Sequence, residues 1–262
     1  MKNSHFKIVC LLFLTLPMFS SAQHKNKSGE YYQITVYHFS NADQQQLIDA
    51  YLKDAYLPAL HRLQIKSVGV FTHIGNDTAA DKRLYVFFPV KSLQEAADLT
   101  TRLEQDKEYV TSGKEYLQTA FNKPAYSRKE NILLKAFPLA PFMSLPKLKG
   151  PLAERVYELR SYESPSENLF ANKVQMFNEG GEISLFKRLN FNGVFYASVI
   201  AGSRMPNLMY MTSFENMDDR NAHWKTFSSD PEWKTTSTKP EYQNNVQRND
   251  TNLLRATAYS DF

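Results

Sequence analysis

The sequence predicts an α+β protein of two tandem units, each with the order strand, helix, strand, strand, helix, strand. A near-repeat is the first observation: Gly69-Val70-Phe71 recurs as Gly193-Val194-Phe195, and Tyr32 recurs as Tyr157, at offsets of 124 or 125 residues. Both halves also alternate between β-rich segments and segments with helical spacing. Prolines at 138, 141, 146 and 151 separate the halves and favour a stiff connector over residues 138–153. So long a period indicates a duplicated domain and not a solenoid.

Composition excludes several classes of protein. Hydrophobic residues make up 42% of the 262 residues and aromatic residues 13%, which is enough apolar bulk for packed cores and excludes disordered and fibrous chains. The formal net charge is only +4, so nucleic acid is not expected as the main partner.

The N-terminus has the three-part pattern of a secretory leader. Lys2 and Lys7 precede an apolar run at residues 8–19, and small residues follow up to Ala22. We therefore predict a signal peptide over residues 1–22 and an exported protein, periplasmic or extracellular. A membrane anchor is the alternative, although the run is shorter than the roughly 20 residues of a spanning helix. Cys10, the single cysteine, falls in the leader, which excludes thiolate chemistry from the mature chain. Residues 23–30 are predicted to form a flexible mature terminus.

Residues 31–137 are predicted to form the first unit. A capping box at Ser92-Leu-Gln-Glu95 begins the second helix, because its hydroxyl and carboxylate satisfy free backbone N–H groups. The first helix contains Pro58, which predicts a kink or a short second segment. Strands are predicted at residues 31–39, 66–74, 84–90 and 132–137, and the first helix at residues 43–63.

The second unit has the same order. Ser164-Pro-Ser-Glu167 predicts a helix with proline at its first position, and Gly180-Gly181 breaks that helix as Pro58 breaks its counterpart. Tyr85 recurs as Tyr210. Strands are predicted at residues 155–162, 191–200, 208–214 and 252–257, with a second helix after Asn216. This order is that of the ferredoxin-like split βαβ unit.

Five ordered motifs in the second half resemble the NIPSNAP domain. They are Tyr157-Glu-Leu-Arg-Ser-Tyr162, Gly181-Glu-Ile-Ser-Leu-Phe-Lys-Arg-Leu189, Met205-Pro-Asn-Leu-Met-Tyr-Met211, Asp230-Pro-Glu-Trp233 and Ala258-Tyr-Ser-Asp261. The resemblance implies a NIPSNAP domain over residues 154–262 and the dimeric α/β-barrel class, in which two such sheets pack face to face. The first half resembles a diverged copy, with Asp106-Lys-Glu-Tyr109 in place of Asp230-Pro-Glu-Trp233. One chain is thus expected to form the barrel that relatives form as dimers, as a monomer with an internal pseudo-dimer or as a homodimer.

Alternation along the first strand of the second unit separates two faces. Tyr157, Leu159 and Ser161 form the more apolar set, which we expect to face the helices, whereas Glu158, Arg160 and Tyr162 would face the other sheet. A guanidinium in a partly closed cavity can bind a carboxylate or phosphate. The predicted ligand-binding residues are Arg160, Tyr162, Tyr196, Ser198, Tyr210 and Glu182. In the alternative interpretation, Arg160 pairs with Glu158 or Glu182 and has a structural role.

The remaining motifs favour structure over chemistry. Asp230 is expected to cap a helix, with Pro231 at its first position and Trp233 packed in the core. The histidines lack metal-ligand spacing, and phosphate loops and nucleophile elbows are missing from the sequence. We therefore predict no metal and no cofactor, and the sequence assigns no catalytic residue. The leading hypothesis is binding of a small anionic or aromatic ligand between the sheets. The alternatives are a cofactor-independent oxygenase or isomerase, in which Tyr or His acts as acid or base, and a protein-interaction module.

Overall fold

The computed structural model describes residues 29–262. The predicted leader and residues 23–28 of the predicted flexible terminus lie outside this range. Within it, Glu30 is hydrogen-bonded: its N–H donates to the Pro141 carbonyl at 2.8 Å, and its carboxylate accepts from the Met143 N–H at 2.7 Å.

Eight strands and nine α-helices form the described part of the chain. The strands are β1 (Tyr31–Phe39), β2 (Gly69–His73), β3 (Lys82–Val90), β4 (Arg128–Ala136), β5 (Val156–Glu163), β6 (Phe195–Ala201), β7 (Asn207–Phe214) and β8 (Arg248–Ala256). The helices are α1 (Ala42–Tyr51), α2 (Leu57–Arg62), α3 (Leu93–Glu104), α4 (Lys107–Ser112), α5 (Lys114–Leu117), α6 (Glu167–Asn178), α7 (Glu182–Arg188), α8 (Met217–Ser229) and α9 (Pro231–Ser237).

The strands close into one antiparallel barrel in the order β1-β3-β2-β8-β5-β7-β6-β4. Each half contributes four neighbouring strands, β4-β1-β3-β2 from the first and β8-β5-β7-β6 from the second. The seams between halves are β2 with β8, where Thr72 lies opposite Arg255, and β4 with β6, where Ala136 lies opposite Ala197. Because both edges of each sheet are paired, no sheet edge stays open.

Local signals in the first half largely match the structure. The predicted first strand coincides with β1, and Ser92 caps α3 by accepting from the Glu95 N–H at 3.1 Å. The breaker at Pro58 produces a π-helical turn, Leu52–Tyr56, between α1 and α2. This wider turn accommodates a proline that lacks an N–H donor.

One cap in the second half differs from the prediction. Ser166, not Ser164, caps α6, so Pro165 precedes the cap and does not occupy the first helical position. Ser164 instead donates its hydroxyl to the Asn245 carbonyl at 2.7 Å. The break at Gly180-Gly181 is confirmed, since α7 begins after Gly181, whose φ of 86° lies in the left-handed region that glycine adopts freely.

The predicted structural role of Asp230-Pro-Glu-Trp233 is confirmed. Asp230 caps α9 by accepting from the Glu232 N–H at 2.9 Å, and Pro231 is the first helical residue. The Trp233 ring lies 4.5 Å from the Phe227 ring.

Apolar side chains from all eight strands fill much of the barrel interior. The Phe87 ring lies 4.7 Å from Phe195 and 5.4 Å from Tyr32, and Phe71 lies 4.8 Å from Tyr157. The C-terminal Phe262 packs against Phe71 at 5.4 Å and closes one end. An eight-stranded barrel is just wide enough for its own side chains, so this end has no room for a ligand.

The C-terminal residues of the NIPSNAP-like half dock on the first half. Asp261 accepts from the Val68 N–H at 2.7 Å and from His61 at 2.9 Å, and Ser260 accepts from the Val70 N–H at 2.9 Å. The closing motif therefore fastens the two halves together beside β2. Within residues 29–262, the helices are too short or too polar to cross a membrane.

We predict that Phe87→Ala lowers the free energy of unfolding by about 3–5 kcal/mol, because Phe87 is 1% exposed and its loss leaves a cavity among aromatic rings. Chemical denaturation of the purified protein measures this. Phe121→Ala is the matched control, since Phe121 is fully exposed and its removal should change the value by less than about 0.5 kcal/mol. Equal effects of the two variants would contradict the filled barrel.

Candidate functional site

Five of the predicted ligand-binding residues lie on the outer face of the second-half sheet, under its helices, and the sixth, Glu182, lies on α7. Tyr157 and Leu159 point into the barrel, whereas Tyr162, Tyr196 and Tyr210 pack with the helices. The predicted assignment of the two faces is therefore wrong. Both faces of this sheet are covered, and the narrow barrel interior takes the apolar set because it offers no partners for charges.

Glu158 is the centre of a buried ion network between β5 and α8. Its carboxylate, fully buried, accepts from Arg160 at 2.6 Å, from Arg220 at 2.7 Å and from the Trp224 indole N–H at 2.8 Å. The Arg160 guanidinium also stacks on the Trp224 ring, 3.8 Å from its centre. The structure therefore shows the alternative pairing of Arg160 with Glu158.

The tyrosines continue this network. Arg160 donates to the Tyr162 hydroxyl at 3.1 Å, which lies 2.9 Å from the Tyr210 hydroxyl, and the Tyr196 and Tyr210 rings stack at 5.8 Å. Burial raises the pKa of Tyr210 well above its ordinary value, so it stays protonated near neutral pH.

Glu182 and Ser198 stand apart from that chain of hydrogen bonds. Glu182 forms a buried ion pair with Lys173, 3.0 Å away. Ser198 lies opposite Leu208 in the sheet, two residues beyond the Tyr196 and Tyr210 pair. Four of the six predicted residues, Arg160, Tyr162, Tyr196 and Tyr210, thus gather in one place, but they fill it.

The large cavity of the described chain lies in the first half instead. It measures about 700 Å³ and lies between the outer face of the β1–β4 sheet and helices α3 to α5. Small-molecule sites typically occupy 300–1,000 Å³, so the size fits. A cavity exists here because side chains are small: Thr35 lies opposite Val86, where the second half has Arg160 opposite Tyr210.

Tyrosines dominate the wall of this cavity. The Tyr51 and Tyr116 rings stack at 3.8 Å, and the Tyr51 and Tyr109 hydroxyls lie 2.8 Å apart. Burial raises the pKa of Tyr51 and of Tyr116, which keeps both phenols neutral. The tyrosines of the wall are Tyr37, Tyr51, Tyr56, Tyr109, Tyr116 and Tyr126.

The sheet contributes polar residues to the wall, and so do the helices, among them Glu104 of α3. Thr35 donates to the Asn131 side-chain oxygen at 2.8 Å, and the Gln33 amide donates to Thr35 at 3.3 Å. Lys129 opens onto the cavity, with its ammonium 5.9 Å from the centre of the Tyr37 ring. Surrounding protein removes part of its hydration and lowers the pKa of Lys129; within residues 29–262, no carboxylate offsets this.

The sequence analysis did not identify Lys129, Asn131 or the helical tyrosines as site residues. The available signal was the density of tyrosine between residues 109 and 126, next to polar residues of β1. Tyr85, treated as the counterpart of Tyr210, points into the barrel and hydrogen-bonds Asn252 at 3.1 Å. These two tyrosines are therefore on opposite faces.

Solved structures with this fold cover most of the chain. A candidate monooxygenase from Lactobacillus acidophilus NCFM is 10% identical with a TM-score of 0.56, covering 87% of this chain and 94% of its own. A candidate monooxygenase from Fusobacterium nucleatum subsp. nucleatum is 8% identical with a TM-score of 0.57, over 87% and 93%. An anthrone oxidase-like protein is 8% identical with a TM-score of 0.51, over 88% and 92%. At these identities the similarity establishes the fold: a mixed α/β protein with a closed eight-stranded barrel.

The sequence comparison is more specific for the second half. Residues 157–261 match the NIPSNAP family model, so this half of the chain is a NIPSNAP domain. Comparison with curated protein sequences finds no match.

We predict that Glu158→Gln lowers the free energy of unfolding by about 3–5 kcal/mol, because it leaves Arg160 and Arg220 buried without a carboxylate. Chemical denaturation at neutral pH measures this. Glu232→Gln is the control: Glu232 is half-exposed beside Arg188, and its loss should leave stability nearly unchanged.

Wild type and Glu158→Gln also test how the stability depends on pH. Burial acts to raise the pKa of Glu158, but the Arg220 hydrogen bond, the Arg160 charge and the Trp224 hydrogen bond outweigh it and hold the pKa below the ordinary 4.5. A lowered folded pKa gives stability that is present above pH 4.5 and lost as the pH falls through the folded value. Glu158→Gln should lack this acid-dependent loss, and an unchanged acid profile would contradict the assignment.

Proposed function

We propose that the protein binds a small aromatic molecule with an anionic group, in the tyrosine-lined cavity of its first half. The observation that carries this proposal is the combination of a 700 Å³ cavity, six tyrosines and one lysine without a carboxylate partner within residues 29–262. This proposed site lies between the sheet and the helices of the first half, whereas the sequence analysis predicted a ligand between the two sheets.

The tyrosine wall favours a planar ligand. Aromatic rings gain from offset or edge contacts with other rings, beyond the area that they bury. Tyr51 and Tyr116 already stack, so their outer faces and edges offer an ordered surface for another ring.

Lys129 favours a negative charge on that ligand. An ammonium group in a partly desolvated site is stabilised by an anion within hydrogen-bonding reach, and Thr35 and Asn131 lie on the same sheet face to orient it.

The filled second half is evidence that each chain has one such binding site, in its first half. The space under its helices is occupied by Trp224, Phe177 and Phe186, together with the Glu158 and Lys173 ion pairs. On this proposal the chain is two ferredoxin-like units in tandem, one of which keeps a cavity while the NIPSNAP unit stabilises the barrel. We further propose that the protein is exported, as the leader pattern at residues 1–22 suggests.

Anilinonaphthalene sulfonate, a fluorescent aromatic anion, tests the site. We predict saturable binding by the purified protein and a loss of affinity of about tenfold or more in Lys129→Ala, because the charge-assisted contact is removed. Lys135→Ala is the control, since Lys135 is an exposed lysine on the same strand outside the cavity. Equal affinity in Lys129→Ala and wild type would refute the proposed site.

A second candidate function is a cofactor-independent oxygenase, favoured by one specific feature. Desolvation lowers the pKa of Lys129, which favours its neutral amine, the form that can accept a proton from an acidic substrate beside the tyrosines. The fold is shared with proteins described as monooxygenases and anthrone oxidase-like.

Anthrone is the probe for that candidate. An oxygenase would convert anthrone and O₂ to anthraquinone and water without an added cofactor, and Lys129→Ala would lower the rate at least tenfold. If oxygen uptake stays at the uncatalysed rate while the sulfonate probe binds, the oxygenase candidate is rejected and the binding function remains.

A further inference from the structure

The barrel is closed at the Phe262 end and open at the other. At the open end a pit of about 80 Å³ enters the barrel interior, on the opposite face of the sheets from the tyrosine-lined cavity. Leu159, Val199 and Met209 form its apolar wall, and Ser161 and Asn207, hydrogen-bonded to each other at 2.9 Å, form a polar wall. A cavity needs at least about 10–15 Å³ to hold one ordered water molecule, so the pit has room for several water molecules. That space is comparable to a short alkyl chain.

Two arginines stand at the rim of the pit. Arg83 lies on β3 and Arg204 on the β6–β7 hairpin, and both line the opening. The Tyr85 hydroxyl lies within reach of both charges: burial raises its pKa, and Arg83 and then Arg204 act against that rise. Both arginines thus line the same opening above the apolar wall.

Carboxylates at the rim do not hold these arginines tightly. Arg83 pairs with Asp81 at 3.0 Å and Arg204 with Asp250, and the two arginine side chains are 37% and 45% exposed. Ion pairs so exposed contribute little and exchange readily.

Each acidic group at the rim has a second partner. Asp81 also contacts His38 at 2.8 Å, Asp250 also contacts Arg248 at 3.7 Å, and Glu130 pairs with Arg128 at 2.9 Å. Asp81 and Asp250 therefore keep a partner when the rim arginines turn to an incoming anion, and the longer contact of Arg204 with Glu163, at 3.8 Å, is the one that is lost.

We propose that the open end of the barrel binds a short-chain carboxylate, with its alkyl chain against Leu159, Val199 and Met209 and its carboxylate between Arg83 and Arg204. Guanidinium groups recognise carboxylates through paired N–H donors, which fixes the head of the ligand at the rim. This site is separate from the tyrosine-lined cavity and does not depend on the function proposed for it.

Butyrate is the probe, and the NMR signal of the isotope-labelled Met209 methyl group is the readout. We expect a saturable shift of Met209 with butyrate and none for Met176, a buried residue of α6 that does not line the pit. Butanol and butylamine, which lack the carboxylate, should not shift Met209. Arg204→Gln and Arg83→Gln should each weaken butyrate binding about tenfold or more, since each removes a charge-assisted contact.

Arg188→Gln is the control, because Arg188 is likewise an exposed arginine paired with carboxylates, Asp230 and Glu232, but does not line the pit. It should bind butyrate as wild type does. The proposal is overturned if butyrate fails to shift Met209, if butanol shifts it equally, or if Arg204→Gln and Arg83→Gln bind with wild-type affinity. Binding of the sulfonate probe in the other cavity should be unchanged in all three variants.

Discussion

Closure of the barrel is the constraint on which the rest of the structure depends. The seams β2 with β8 and β4 with β6 pair every sheet edge with the other half, so the two sheets enclose a narrow interior. A space of that width is filled by the strands' own side chains, here by a ring of Phe and Tyr with Phe262 at one end. Polar residues of the alternating strands must then face outwards, where helices supply partners for them. The large cavity therefore lies outside the barrel, and the barrel interior keeps a small pit at its open end.

The two halves use that outer face differently. In the second half, Glu158 gathers two arginines and a tryptophan, and aromatic rings complete the packing. The same registers in the first half carry Gln33 and Thr35, and because Thr35 is much smaller than Arg160, a cavity remains. The polar residues of the motif Tyr157 to Tyr162 that face the helices therefore serve stability. The ligand binding that we propose falls to the first half, in which a lysine and tyrosines surround free space.

Sequence alone predicted the elements well because their signals are local. The bounds of β1, the Ser92 cap and the Asp230 cap follow from alternation and from capping chemistry. The sequence did not predict which face of each strand points into the barrel. Both faces of the sheet are buried, and alternation separates the two faces without indicating which one is inside. The pairing of Tyr85 with Tyr210 failed for the same reason, since one residue of register reverses a side chain. The tyrosine-lined cavity could not be predicted, because it arises from small residues on one element opposite helices distant in sequence.

Hydrogen exchange with and without bound anilinonaphthalene sulfonate tests the central claim most directly, because it locates the ligand along the chain. The account predicts protection in α3 to α5, residues 93–117, and in the facing strands β1 and β4. The helices of the second half, residues 167–237, should exchange as in the free protein. Protection confined to the second-half helices, or spread evenly around the barrel strands, would contradict the assignment of the ligand site to the first half.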